Sequence, residues 1–162
     1  MKSEADFAAF DEAGFPETLS EMHVAIWGLG LMGGSLAMAL QGKTRWLAGI
    51  DPDEAVCQQA RQLKVLDVVG NDAAKILPKA DLIILAAPLG VIPSLLAQLP
   101  ALMANRAVVL DLGSTKAGIL AAMSELPERF GVLGGHPMCG KEVNSFSNAS
   151  ATLYQQASFA LL

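Results

Sequence analysis

The sequence predicts an α/β fold: a doubly wound, mainly parallel sheet with helices on both faces. Three observations predict it. Apolar strand-like runs alternate with helix-like segments along the whole chain, which implies right-handed crossovers. The apolar fraction is 52%, as expected when strands are buried on both faces. Residues 24–36 read Val-Ala-Ile-Trp-Gly-Leu-Gly-Leu-Met-Gly-Gly-Ser-Leu, an apolar run entering glycines at G-x-G-x-x-G spacing and then a helix. That last feature is the Rossmann-type start of a dinucleotide-binding unit.

The first strand is expected near 22–27 and its helix near 31–41. Gly28 permits the sharp turn, Gly30 leaves the backbone open to a pyrophosphate, and Gly33 lets helix and strand approach. Leu29, Leu31 and Met32 complete the loop. The helix N-terminus offers N–H groups and a partial positive charge to phosphates. The second strand, near 46–50, runs into Asp51 at the interval where a carboxylate meets the adenosine ribose. Pro52, Asp53 and Glu54 follow, with no cation for a 2′-phosphate, so the cofactor read is NAD, not NADP. Asp51 also suits a helix N-cap, since Asp53 opens the helix expected near 53–63.

Further strands are expected near 66–69, 81–86, 107–111, 131–134 and 157–161. Further helices are expected near 89–98 and 115–125, with a short one near 147–154. Residues 82–105 carry no charge, yet Pro88, Gly90, Pro93 and Pro100 break them into strand, turn and short helix rather than a membrane span.

The chain has 162 residues and a net charge of −5. That length suits one domain. The charge resides in residues 1–21, where Lys2 faces Glu4, Asp6, Asp11, Glu12, Glu17 and Glu21. The division read is an acidic leader at 1–21 and a dinucleotide-binding domain at 22–162. The leader suits either a short helix capped by Ser3 and ended by Gly14, or a frayed tail. Residues 22–162 are neutral and offer no basic footprint for nucleic acid. Cys57 and Cys139 are too few for a disulfide framework, and no metal-ligand cluster is evident. Reduced thiols and no signal peptide point to the cytoplasm, without a membrane anchor.

In open sheets of this kind, ligands bind beyond the carboxyl ends of strands. The fourth strand ends in Ala86-Ala87-Pro88-Leu89, where the small residues Ala87 and Pro88 suit a flat nicotinamide and ribose. The fifth ends in Asp111-Leu-Gly-Ser-Thr-Lys116, and the sixth in Gly134-Gly-His-Pro-Met-Cys-Gly-Lys-Glu142. His136 suits a proton acceptor near neutral pH, held in a glycine-rich loop. Ser114 suits an orienting hydroxyl or the N-cap of the next helix. Lys116 suits an anion contact or a solvated first-turn lysine.

The glycine loop Gly28–Ala37, then Asp111–Lys116, then His136–Glu142, in this order, resemble the cofactor domain of prephenate and arogenate dehydrogenases. The resemblance covers essentially everything after the leader. It implies NAD-dependent oxidative decarboxylation of prephenate to 4-hydroxyphenylpyruvate in tyrosine biosynthesis. His136 and Ser114 would be catalytic, and both would bind substrate together with Glu142. Cys139 stands where the family often has a smaller residue. The resemblance further implies a helical second domain that forms a homodimer and supplies a substrate-binding arginine. No arginine here takes that role. The expectation is a domain cut from a longer protein and impaired without its second half. Alternatives are an arogenate dehydrogenase, a β-hydroxyacid dehydrogenase, whose opening Gly-Leu-Gly-x-Met-Gly also fits residues 28–33, and a non-catalytic NAD-binding module.

Overall fold

The computed structural model describes residues 14–139 and 145–162. Seven strands form one sheet in the order β3-β2-β1-β4-β5-β6-β7. They are β1 (His23–Trp27), β2 (Trp46–Ile50), β3 (Val68–Gly70), β4 (Leu82–Leu85), β5 (Ala107–Asp111), β6 (Phe130–Pro137) and β7 (Phe159–Leu161). The first six are parallel to their neighbours, and β7 runs antiparallel to β6. The helices are α1 (Leu31–Leu40), α2 (Glu54–Leu63), α3 (Ala73–Ile76), α4 (Ile92–Leu102) and α5 (Ala117–Ser124).

Strand side chains alternate between the two faces, and the core divides accordingly. Val24 and Ile26 of β1 pack with Leu29, Ala37 of α1 and Ala60 of α2. Ala25 and Trp27 pack on the opposite side with Leu95, Leu96 and Leu99 of α4 and Ile119 of α5. This is the doubly wound arrangement expected from the sequence. The winding reverses between β1 and β4, which are paired from Val24↔Leu82 to Trp27↔Leu85, so a crevice opens beyond their carboxyl ends.

Several local expectations need correction. The helix expected near 147–154 is a single 3₁₀ turn, Phe146–Asn148, followed by further turns. α4 begins at Ile92 and continues through Pro100 to Leu102, so Pro100 does not end it. The Arg129 guanidinium donates to the carbonyls of Pro100 (3.0 Å) and Met103 (3.2 Å), satisfying acceptors at that end. α3 was not expected at all. β6 is longer than the 131–134 anticipated and contains His136, which lies opposite Ala160 of β7. His136 is therefore held in a strand, not in a loop. No helix among the described residues is long and apolar enough to cross a membrane. The leader helix anticipated from Ser3 falls outside the described residues.

Candidate functional site

A cleft of about 1440 Å³ follows the carboxyl ends of the strands. Its β1–β2 end is shaped by glycine. Gly28 has φ +102°, and a Cβ there would lie 2.6 Å from the Ala86 carbonyl oxygen. A Cβ on Gly33 would lie 1.8 Å from the Gly28 carbonyl oxygen, so Gly33 serves the turn itself as much as strand–helix packing. A Cβ on Gly30 would meet nothing within 4 Å. That open space faces the first turn of α1, whose N–H groups have no acceptor within their own helix.

Asp51 fastens this end. Its carboxylate accepts the Leu29 N–H at 2.8 Å and the Asp53 N–H at 2.9 Å. The cap of α2 is Asp53, which accepts the Ala55 N–H at 2.8 Å, so Asp51 is not the N-cap. The buried Leu29 side chain packs towards Gly49, and only its backbone addresses Asp51. Cys57 donates to the Asp51 carbonyl at 3.3 Å, and burial pushes its thiol up from the ordinary value.

Of the residues read for cofactor, Gly28, Gly30, Leu31, Met32, Asp51, Ala87 and Pro88 line the cleft. Leu29 and Gly33 stand behind it. Ser114 and His136 line the same cleft at the far end. Their strands are adjacent, with Asp111 opposite Gly134. Ser114 is exposed. The helix after it begins only at Ala117, with Lys116 at the cap position, so Ser114 is not its N-cap. Glu142 lies outside the described residues.

Lys116 is neither a solvated lysine nor an open anion contact. Its side chain is only 10% exposed. Its ammonium donates to Asp111 Oδ1 at 2.7 Å and to the Gly135 carbonyl. Asp111 is wholly buried, and the same Oδ1 accepts the Gly113 N–H at 2.8 Å.

Two further features were missed in the sequence. Asn71, Asp72, Ala73 and Ala74 form part of the cleft wall. Extending the strand-end rule to β3 would have found them. The chain from 145 to 154 also lies across α1. Phe146 occupies the space a Cβ on Gly34 would need, 2.7 Å away. Ser35 Oγ accepts the Ser150 N–H at 2.9 Å, and Tyr154 donates its hydroxyl to the Met32 carbonyl at 2.9 Å. Burial first, and the neighbouring Cys139 thiol second, hold the Tyr154 phenol well above its ordinary pKa. The pair Gly34-Ser35 was the available signal, because two small residues side by side on α1 leave room for another segment.

Residues 36–162 match the family described as the prephenate dehydrogenase nucleotide-binding domain. The chain belongs to this family. It is 29% identical over 144 residues to a prephenate dehydrogenase of Bacillus subtilis, covering 85% of this chain and 38% of that protein. It superposes on the arogenate dehydrogenase of Synechocystis with a TM-score of 0.80 at 31% identity, covering 86% of this chain and 49% of that one. The prephenate dehydrogenase of A. aeolicus, solved with hydroxyphenyl propionate and NAD+, gives 0.79 at 28% identity, over 90% of this chain and 51% of that one. The chain thus spans about half the length, or less, of these relatives.

Proposed function

We propose that this chain is the NAD-binding half of a dehydrogenase that oxidises and decarboxylates prephenate. One observation carries the reading: a single cleft holds the glycine loop and Asp51 at one end and Ser114 with His136 at the other. The residues present fit the cofactor. Gly30 leaves room for a pyrophosphate, Asp51 is a carboxylate fixed by two backbone N–H groups, and Ala86 and Ala87 form a low wall for a flat ring. Bound NAD supplies a hydride acceptor.

The chain's own residues would do the rest. Asp51 would take the adenosine ribose hydroxyls and repel a 2′-phosphate. Ser114 would orient the ring hydroxyl of the substrate. The His136 imidazole would accept that hydroxyl's proton as hydride leaves the carbinol carbon. Loss of carbon dioxide then aromatises the ring and draws the reaction forward. The similarity to an arogenate dehydrogenase keeps arogenate as the second substrate to assay, because it presents the same ring hydroxyl. We place the protein in the cytoplasm, where its free thiols Cys57 and Cys139 would remain reduced.

The test is NADH formation with prephenate or arogenate, measured with the second half of a relative supplied. His136→Asn keeps a hydrogen-bonding group but removes a base that works near neutral pH. It should lower turnover by on the order of 10²–10⁴-fold, with NAD affinity nearly unchanged. Parental turnover in His136→Asn would remove His136 from the chemistry. Failure of the parent chain to bind NAD would overturn the whole reading.

A further inference from the structure

We propose that Lys116 is a positioning residue, which through Asp111 and the Gly135 carbonyl fixes Ser114 and His136 relative to each other. The inference rests on the functional reading above, since it assigns Ser114 and His136 to one reaction centre.

The argument begins with where the two residues are attached. Ser114 sits on the loop between β5 and α5, and His136 on β6. These elements are separate in sequence, so their relative placement depends on what joins the strand ends. The Asp111 carboxylate, at the last residue of β5, holds that loop at both sides of Ser114. It takes the Gly113 N–H on one side and the Lys116 ammonium on the other. The same ammonium then reaches the carbonyl of Gly135, the residue immediately before His136. One nitrogen thereby ties the serine loop to the histidine strand.

The glycines flanking these contacts keep the join close. A Cβ on Gly113 would lie 3.0 Å from Asp111 Oδ1, and one on Gly135 would lie 2.9 Å from the Asp111 carbonyl oxygen. Side chains at either place would force the carboxylate or the two strands apart. Burial makes the join stiff. Asp111 is fully buried and the Lys116 side chain nearly so, so moving the ammonium into solvent would leave the Asp111 carboxylate buried and unpaired. Two of the three ammonium donors are already committed, which leaves the lysine poorly placed to greet an anionic substrate. Its positive charge serves the fold of the reaction centre instead.

The test uses the intact chain with its histidine rings labelled for NMR. There are two histidines, and each reports on a different place. His136 lies in β6. His23 lies at the amino end of β1, bonded to Asp81 at 3.0 Å. Lys116→Met should move the His136 ring signals while those of His23 stay at their parental positions. A general loss of stability would move both or neither. NAD affinity, read by titration, should change by less than about threefold, because the glycine loop and Asp51 are untouched. With the second half of a relative supplied, kcat should fall by on the order of 10- to 100-fold, the scale of a misplaced reacting group. KM for NAD should stay near the parental value.

Unmoved His136 signals in a folded Lys116→Met variant would overturn the positioning role even if NAD binds normally. Should Lys116→Met fail to fold, Asp111→Asn removes the opposing charge at nearly constant shape. It should displace the His136 signals selectively, and unchanged signals there would overturn the proposal equally. Absence of NAD binding in the parent chain would count against the functional reading, whereas the histidine signals would still decide whether Lys116 holds the two strand ends together.

Discussion

The glycine end of the cleft is positioned by atoms that are absent, whereas the Ser114–His136 end is positioned by a charge pair sealed inside. At the glycine end, the absence of a Cβ at Gly28 and Gly33 lets backbone meet backbone, and Asp51 ties the loop to β2 through the Leu29 N–H. The glycine constraints are steric, one local between Gly33 and Gly28 and one reaching from Gly28 to Ala86 beyond β4. At the far end, Lys116, Asp111 and Gly135 join two strands through side-chain charge. The first kind of constraint tolerates no added volume but is indifferent to charge. The second is closely packed as well, and in addition does not tolerate the loss of either partner, because a buried charge left alone costs several kcal/mol, about 3–5 on removal of one partner.

The sharpest way to break this comparison is to add volume at two neighbouring glycines. Gly33→Ala places a methyl group 1.8 Å from the Gly28 carbonyl oxygen. Overpacking of this kind costs about 3 kcal/mol or more, so the melting temperature should fall by on the order of 10 °C. Gly30→Val adds its methyl groups to open space. Its melting temperature should stay near the parental value, while NAD affinity drops by at least about 100-fold, or ~3 kcal/mol. Thermal melts and NAD titrations of the two variants decide the matter. Equal stability losses would show that the loop is one rigid unit, and normal NAD binding in Gly30→Val would make it a structural turn only.

A smaller effect tests whether charge matters at the glycine end in ligand choice alone. Asp51→Asn retains an acceptor for the Leu29 N–H but removes the negative charge. The preference for NAD over NADP should narrow by about tenfold, or ~1.4 kcal/mol, with little change in melting temperature. Parallel titrations of parent and variant with both cofactors measure it. Equal affinities in the parent would strip Asp51 of its discriminating role.

The same contrast explains what could be read from the sequence. The sheet, its winding and the glycine loop follow from apolar periodicity and from local sterics, which leave marks at fixed spacing. Ser114 and His136 could be placed at one end because strand ends converge in such sheets. Lys116 could not be placed, because its role depends on Gly135, 19 residues away, and on burial that a single charged letter does not reveal. The strand that carries His136 was cut short for a related reason. Gly135 and Pro137 read as loop, yet antiparallel pairing with β7 supplies hydrogen-bonding partners that hold them extended. The segment near 147–154, expected as a short helix, instead lies against α1: Phe146 against Gly34, Ser150 on Ser35 and Tyr154 on Met32.

The smallest expected effect concerns Tyr154, which joins the two ends by bonding the Met32 carbonyl beside the glycine loop from a segment that follows β6. Tyr154→Phe removes one hydrogen bond and keeps the ring, so it should cost about 1 kcal/mol of stability. NAD affinity should weaken only a few-fold, since Met32 lines the cleft and would lose its restraint. The phenol also predicts a pH signature. Burial raises its pKa in the folded protein, so the folded state holds the proton more tightly than the unfolded chain does. That stabilisation is fully present below the unfolded value of about 10 and is lost as pH rises beyond it. Denaturant unfolding of parent and Tyr154→Phe should therefore give a constant difference from pH 7 to about 9.5 and a shrinking one above about 10. A difference that stays constant to higher pH would mean that Tyr154 titrates as it does in the unfolded chain, and that its hydroxyl does not fasten this segment to α1.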